Sequence, residues 1–295
     1  MKMRKIIRFK RRMQWLFGVY LRPKHISTVK TWNGLLSFDS KDRTLGRSLH
    51  VERGFERELM INSVKFLKEK NYLSADNDGM VLDVGGYIGM SSIGFINAGI
   101  FSSALVFEAN PNNFNILKKN IKQNNLSDKM NAFNLALSDR SSVMQMELSD
   151  KNYGDHRVRD GAVSDDDIFN ESERRIINIE STTLDDFLLK HEDIDVKAIK
   201  FVWMDIQGFE GHFLQGAKNF FKENKNVPVC MEFTPYMLKR VGIDKIKFTE
   251  IVSEIFSHFY IFGDKTGHKY SAKDLIEIYD KYDFKTAGAH LMLVN

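Results

Sequence analysis

The stretch VLDVGGYIGMSSIGF, residues 81–95, decides the fold. Its first residues continue a short apolar run from Met80 to Val84, Gly85, Gly86 and Gly89 supply a turn, and apolar residues from Met90 to Ala98 continue at helical spacing. Strand, glycine turn and helix in direct succession open a βαβ unit. Glycine admits positive φ and lets a ligand approach the backbone, and the helix that follows presents oriented N–H donors.

Working outward, the same alternation recurs. ALVFE at 104–108 reads as a second strand, FNILKKNIKQN at 114–124 as a helix, and Asn131 to Leu137 as a third strand. IKFVWMDI at 199–206 and PVCMEF at 228–233 read as the fourth and fifth strands, separated by a helix from about Phe209 to Phe221. Phe248 to Phe256 is helical by pattern, His258 to Phe262 and His290 to Val294 are extended, and Ala272 to Tyr282 is helical between them. The expected fold is α/β, a doubly wound, Rossmann-like, mostly parallel seven-stranded sheet with helices on both faces. The 25-residue interval KNYGDHRVRDGAVSDDDIFNESERR, 151–175, is poor in apolar residues and reads as a substrate-facing loop.

The chain has 295 residues, 43% hydrophobic and 28% charged, a globular composition that excludes a largely disordered or fibrous protein. Its single cysteine, Cys230, excludes an intramolecular disulfide and a Cys-rich zinc site, and fits a reducing compartment. Net charge is +4, unevenly spread: residues 1–38 carry ten Lys or Arg and no acid, leaving 33 basic against 39 acidic residues in the body. The basic head borders MQWLFGVYL at 13–21, too short to span a bilayer and followed by Arg22-Pro23-Lys24 where a signal peptide needs small residues. The sequence therefore reads as cytoplasmic. The head fits either peripheral contact with an anionic membrane through residues 1–24 or a helix that packs Trp15, Leu16, Phe17 and Tyr20 on its own domain.

A dinucleotide fingerprint is G-x-G-x-x-G, but here Asp83 stands where the first glycine belongs. A carboxylate repels a pyrophosphate and suits the sulfonium and ammonium groups of S-adenosylmethionine. Glu108 ends the second strand 25 residues after Asp83, placed to accept hydrogen bonds from ribose hydroxyls beside Ala109. Asp139 closes NLALSD near an adenine edge, and MDIQGFEGHF, 204–213, brings Asp205, Glu210 and His212 to the end of the fourth strand. Asp205 or His212 could relieve a hydroxyl of its proton, with Glu232 as a further base; the favoured reading of His212 is a helix-surface imidazole, and Glu210 also reads as a first-turn residue stabilised by the helix dipole. No metal ligand set is expected.

These motifs resemble the FkbM-type, class I methyltransferases. The resemblance rests on the turn at 83–89, FEANP at 107–111, LALSD at 135–139, STTLDDFL at 181–188, MDIQGFEGHFLQGA at 204–217, and the lead-in SKDRTLGRSLHVERGFE at 40–56. It covers roughly residues 35–235 and divides the chain into a basic extension and lead-in, 1–50, and a methyltransferase domain, 51–295. Tyr87 stands where the family usually has Asn, and Gln207 where it usually has an acid. The resemblance implies S-adenosylmethionine as cofactor, bound through Asp83, Gly85, Gly86, Tyr87, Gly89, Glu108, Ala109, Asp139 and Asp205, and O-methylation of a sugar, glycan, glycolipid or secondary metabolite. Two alternatives stay open: a nucleic-acid methyltransferase, disfavoured because basic and aromatic residues are not interleaved across the body, and a non-catalytic nucleoside-binding module.

Overall fold

A computed structural model of the chain describes residues 2–76, 78–160, 167–264, 266–282 and 289–295. Eight strands form the central sheet; numbered along the chain they are β1 (Met80–Val84), β2 (Ser103–Phe107), β3 (Met130–Phe133), β4 (Ile199–Met204), β5 (Val229–Phe233), β6 (His258–Ile261), β7 (Tyr270–Ser271) and β8 (Ala289–Val294). Their order across the sheet is β7-β6-β8-β5-β4-β1-β2-β3. From β5 through β3 all neighbours are parallel, while β8 inserts antiparallel between β5 and β6. The chain builds outward from β1 to β3, then returns to lay β4 on the other side of β1, so the winding reverses between β1 and β4. Ligands of open α/β sheets bind at such a reversal, beyond the carboxyl ends of the strands.

The parallel strands alternate between two cores. Val81, Ala104, Val106, Phe201 and Trp203 face one, with the helices Met90–Asn97 and Arg57–Glu69; Leu82, Val84, Leu105, Phe107, Val202 and Met204 face the other. Both faces are covered, which explains why these strands read as continuous apolar runs. The first core extends into the N-terminal hairpin Ile26–Lys30 and Leu35–Asp39, through Leu36 and Phe38, and to Trp15 of the helix Lys2–Leu21. In that helix Trp15 and Val19 are buried, whereas Leu16, Phe17 and Tyr20 are exposed, so only part of the expected self-packing forms.

The structure revises several boundaries. The seven expected strands become eight because Tyr270–Ser271 adds a two-residue edge to β6. The third strand breaks at Asn134, whose side-chain amide donates to the carbonyls of Glu108 and Ala109 at 2.8 and 2.9 Å; beyond it Ala136–Leu137 joins a second sheet with Arg175–Thr182, Ser142–Leu148 and Arg157–Arg159. The helix expected over 209–221 breaks at Gly216 and Ala217 into Glu210–Gln215 and Lys218–Glu223; Gly216 packs so closely on Ser138 that a Cβ there would lie 1.8 Å from its carbonyl oxygen. The helix expected from Phe248 starts earlier, at Lys245, capped by the Asp244 carboxylate.

Candidate active site

After β1 the backbone folds back on itself. Gly85 has φ +92°, and a Cβ there would fall 2.0 Å from the Asp205 carbonyl oxygen; one on Gly86 would meet Val106 Cγ1 at 2.2 Å. The amides of Gly85 and Gly86 both donate to the Phe107 carbonyl, at 3.0 and 2.9 Å, which ties the turn to the end of β2. Tyr87, at φ +48°, donates its amide to Glu108 Oε2 at 2.8 Å and its hydroxyl to Asp42. Glu108 Oε1 accepts the Asn110 amide at 2.8 Å. Burial outweighs these two bonds and pushes the Glu108 carboxyl up to about 8.

Two cavities meet over this turn. The larger, about 810 Å³, is walled by Glu56, Gly86, Arg174, Trp203, Glu232 and His290 among others; the smaller, about 60 Å³, is lined mainly by Val84, Phe107, Glu108, Ala109, Leu137 and Phe209. Gly85, Tyr87, Gly154, Asp205 and Gln207 line both. The 151–175 segment closes the larger cavity with Asp155, Arg157, Phe169 and Arg174; residues 161–166 of it lie outside the described residues.

Carboxylates crowd the junction. At the strand-to-helix turn Gln207 has φ +54° and Gly208 φ +104°, and this twist aims the Gln207 amide between two acids: Nε2 donates to Asp205 Oδ1 at 2.6 Å and to Glu232 Oε2 at 2.8 Å. Burial and then the Asp205 charge push Glu232 well above the usual carboxylate range. The same two causes, in the same order, push Glu56 up to about 8. Like charges brought this close favour either shared protons or a bound cation. In and behind the cavity wall the charges balance instead. Arg157 contacts Asp155 and Glu171 at 2.6 and 2.8 Å, Arg174 contacts Asp155 at 2.7 Å, and Arg240 contacts Glu147 at 2.9 Å.

A family model described as the methyltransferase FkbM domain matches residues 83–270, more than half of the chain. The chain belongs to the FkbM methyltransferase family. The cofactor of these enzymes is S-adenosylmethionine. Among solved structures, a methyltransferase FkbM from Methylobacillus flagellatus KT is 17% identical with a TM-score of 0.44, the match covering 76% of this chain and 45% of that one. The B. subtilis tRNA methyltransferase TrmK is 9% identical at TM-score 0.37, covering 80% and 65%, and the M. capricolum TrmK in complex with S-adenosylhomocysteine is 10% identical at 0.36, covering 80% and 67%. The chain thus spans less than half the length of the M. flagellatus protein. No curated protein matches it.

Set against the residues expected from FkbM motifs, the structure brings Gly85, Gly86, Tyr87, Glu108, Ala109 and Asp205 to the cavities. The others stand back from them. Asp83 is buried, accepts the Ser92 hydroxyl, and is pushed up to about 7 by burial; it anchors the start of the helix Met90–Asn97. Gly89 lines neither cavity: its φ of +85° and the 2.7 Å approach of a Cβ to Leu117 Cδ1 make it a packing glycine. Asp139 pairs with Arg140 Nη1 at 3.0 Å and lies 3.3 Å from His212 Nδ1, outside both cavities. His212, expected to be catalytic, stacks on Phe209 with centroids 4.3 Å apart, its Nε2 lies 3.1 Å from the Val241 carbonyl oxygen, and it lines neither cavity. Glu210 Oε1 accepts the amides of Ile206 and Gly208 at 3.3 and 3.2 Å; it holds the turn and does not face the cavity. Of the expected catalytic trio Asp205 alone lines the cavities. Sequence reasoning missed Arg174 and His290, which carry no motif; Glu56 closes the quoted lead-in, and that position was its signal.

Proposed function

We propose that this chain is an S-adenosylmethionine-dependent O-methyltransferase acting on a hydroxyl of a sugar, glycan, glycolipid or secondary metabolite. The observation that carries the reading is the pair Asp205 and Glu232, joined through Gln207 where the two cavities meet. The residues fit the cofactor on three counts. Gly85 and Gly86 form a cradle that a Cβ would fill. The smaller cavity joins apolar walls to the acidic edge of Glu108, a match for a nucleoside with free hydroxyls. The carboxylates at the junction complement a cation and oppose a pyrophosphate. When bound, S-adenosylmethionine supplies an electrophilic methyl group on a sulfonium.

The chain's own residues supply the rest. Asp205 sets negative charge beside the cradle, and the Gln207 amide fixes its orientation. Glu232, raised by burial and by Asp205, gives up its proton more readily beside a cation and then accepts one from a hydroxyl within reach. The larger cavity holds the acceptor between walls that include Arg174 and Phe169. Transfer of a labelled methyl group to hydroxylated sugars, sugar nucleotides, glycolipids and metabolites tests the proposal. Labelled product from a hydroxyl acceptor, reduced in Glu232→Gln while S-adenosylhomocysteine still binds by titration calorimetry, is the expected result. Methylation confined to nitrogen or carbon acceptors, or cofactor binding without turnover on any acceptor, overturns it.

A further inference from the structure

The helix Lys2–Leu21 carries two apolar faces, and the fold uses only one. Trp15 and Val19 sink into the core, with Trp15 against Phe38 and His50 at centroid distances of 6.1 and 5.6 Å. Ile6, Phe9, Met13, Phe17 and Tyr20 recur at three- and four-residue spacings on the opposite side, and every one is exposed, Phe9 by 63% and Tyr20 by 64%. At 3.6 residues per turn they share a stripe about 80° wide. Scattered exposed apolar residues need no explanation, but a stripe of this regularity does.

The cations beside that stripe narrow what can cover it. Residues 1–24 hold nine Lys or Arg and no acid. Arg8 is paired with Glu52 at 2.7 Å and Lys24 with Asp39 at 2.8 Å. Lys5, Lys10 and Arg12 are exposed and, among the described residues, form no ion pair; Lys5 and Lys10 flank the stripe on either side. Two guanidiniums lie over its aromatic rings, Arg22 over Phe17 at 5.3 Å and Arg43 over Tyr20 at 5.5 Å. A second copy seated on this face would set its own unbalanced cations against these. A nucleic acid would satisfy the cations and leave the aliphatic side chains in water. An anionic bilayer satisfies both, with apolar side chains among the acyl chains and ammonium and guanidinium groups at headgroup level.

We infer that the exposed face of Lys2–Leu21 is a docking surface for anionic lipid bilayers. It lies close to the site: the neighbour of Arg43, Thr44, lines the larger cavity, and the Arg43 amide donates to the carbonyl of Lys151, which lines it too. The inference stands independently of the acceptor's identity.

The test uses the full chain and sucrose-loaded vesicles of phosphatidylcholine alone or with about 30% phosphatidylglycerol, enough anionic lipid for a measurable surface potential. Sedimentation with the anionic vesicles only, weakened by added salt, is expected. Lys5→Glu/Lys10→Glu/Arg12→Glu should lower the partition coefficient at least about a hundredfold, near fivefold for each charge removed. Phe9→Ser/Phe17→Ser should abolish sedimentation at unchanged circular dichroism, since both side chains are exposed. In Phe9→Trp, brominated lipids should quench the new fluorescence. Equal binding to neutral vesicles, binding that ignores the apolar substitutions, or a stable dimer by light scattering that Phe9→Ser dissolves would each overturn the inference.

Discussion

Replacing Glu171 with Gln tests whether the balanced charges behind the cavity hold its wall in place. Glu171 is buried; its Oε1 takes Arg157 Nη1 at 2.8 Å and the Tyr236 hydroxyl at 2.9 Å, and its Oε2 takes the Phe169 amide at 2.8 Å. Three guanidiniums, of Arg157, Arg174 and Arg240, face three carboxylates, of Asp155, Glu147 and Glu171, and none of the six side chains is more than 11% exposed. Gln keeps the shape but leaves one buried cation uncompensated and turns a second donor toward Arg157 or Phe169. Breaking a buried pair in this way costs about 3–5 kcal/mol. At about 2 °C per kcal/mol, the lower end of the usual range and the one that applies to a chain this long, Tm should fall by about 6–10 °C. Differential scanning calorimetry reads the shift directly. Glu171→Gln/Arg157→Met restores the charge balance and should recover at least half of it. A fall under about 2 °C, smaller than even 1 kcal/mol would give, or a double variant as unstable as the two single losses added together, refutes the reasoning.

Four further outcomes follow from the site. Gly85→Ala places a Cβ against the Asp205 carbonyl at positive φ; stability should drop by at least about 1–3 kcal/mol in urea unfolding, and titration calorimetry should show S-adenosylhomocysteine binding lost. Asp205→Asn should slow transfer more than it weakens cofactor binding, seen as a fall in kcat larger than the rise in Kd. His212→Gln should lower Tm while leaving kcat of the folded enzyme within about twofold, because the imidazole meets Phe209 and Val241 and not the cavity. Stability should fall with rising pH: Glu108 and Asp83 bind protons more tightly folded than unfolded, so their contribution is full below about pH 4 and is lost as pH rises through about 7 to 8. Urea midpoints across that range should decline, and Glu108→Gln should flatten the decline; an unchanged slope would mean the carboxyl is not buried in solution.

The sheet was legible because its evidence is local. Val81, Leu105, Val202 and Met231 are buried on both sides of parallel strands, and such strands appear in sequence as unbroken apolar runs. The glycine turn was legible for the same reason, since positive φ at Gly85 and Gly89 demands glycine wherever the rest of the chain goes. The second sheet was missed because Ser142–Leu148 alternates buried and exposed residues on one face only and pairs with Arg175–Thr182, across an interval that carries the cavity wall. Site chemistry was harder still. His212 and Glu210 stand five residues beyond Gln207 and Asp205 respectively, but the helix Glu210–Gln215 turns them toward Val241 and the backbone of the turn. Glu56, Arg174 and His290 meet at one cavity from three distant parts of the chain, and no spacing rule brings them together.

Strand β8 ties the integrity of the sheet to that of the cavity. Ala289–Val294 threads between two strands synthesised before it, and His290 on it completes the cavity wall. Without β8, β5 and β6 have no strand between them, and each presents an open edge. A chain without Ala289–Val294 therefore has a gap in its sheet and lacks the cavity wall that His290 supplies, so the pocket and the sheet stand or fall together.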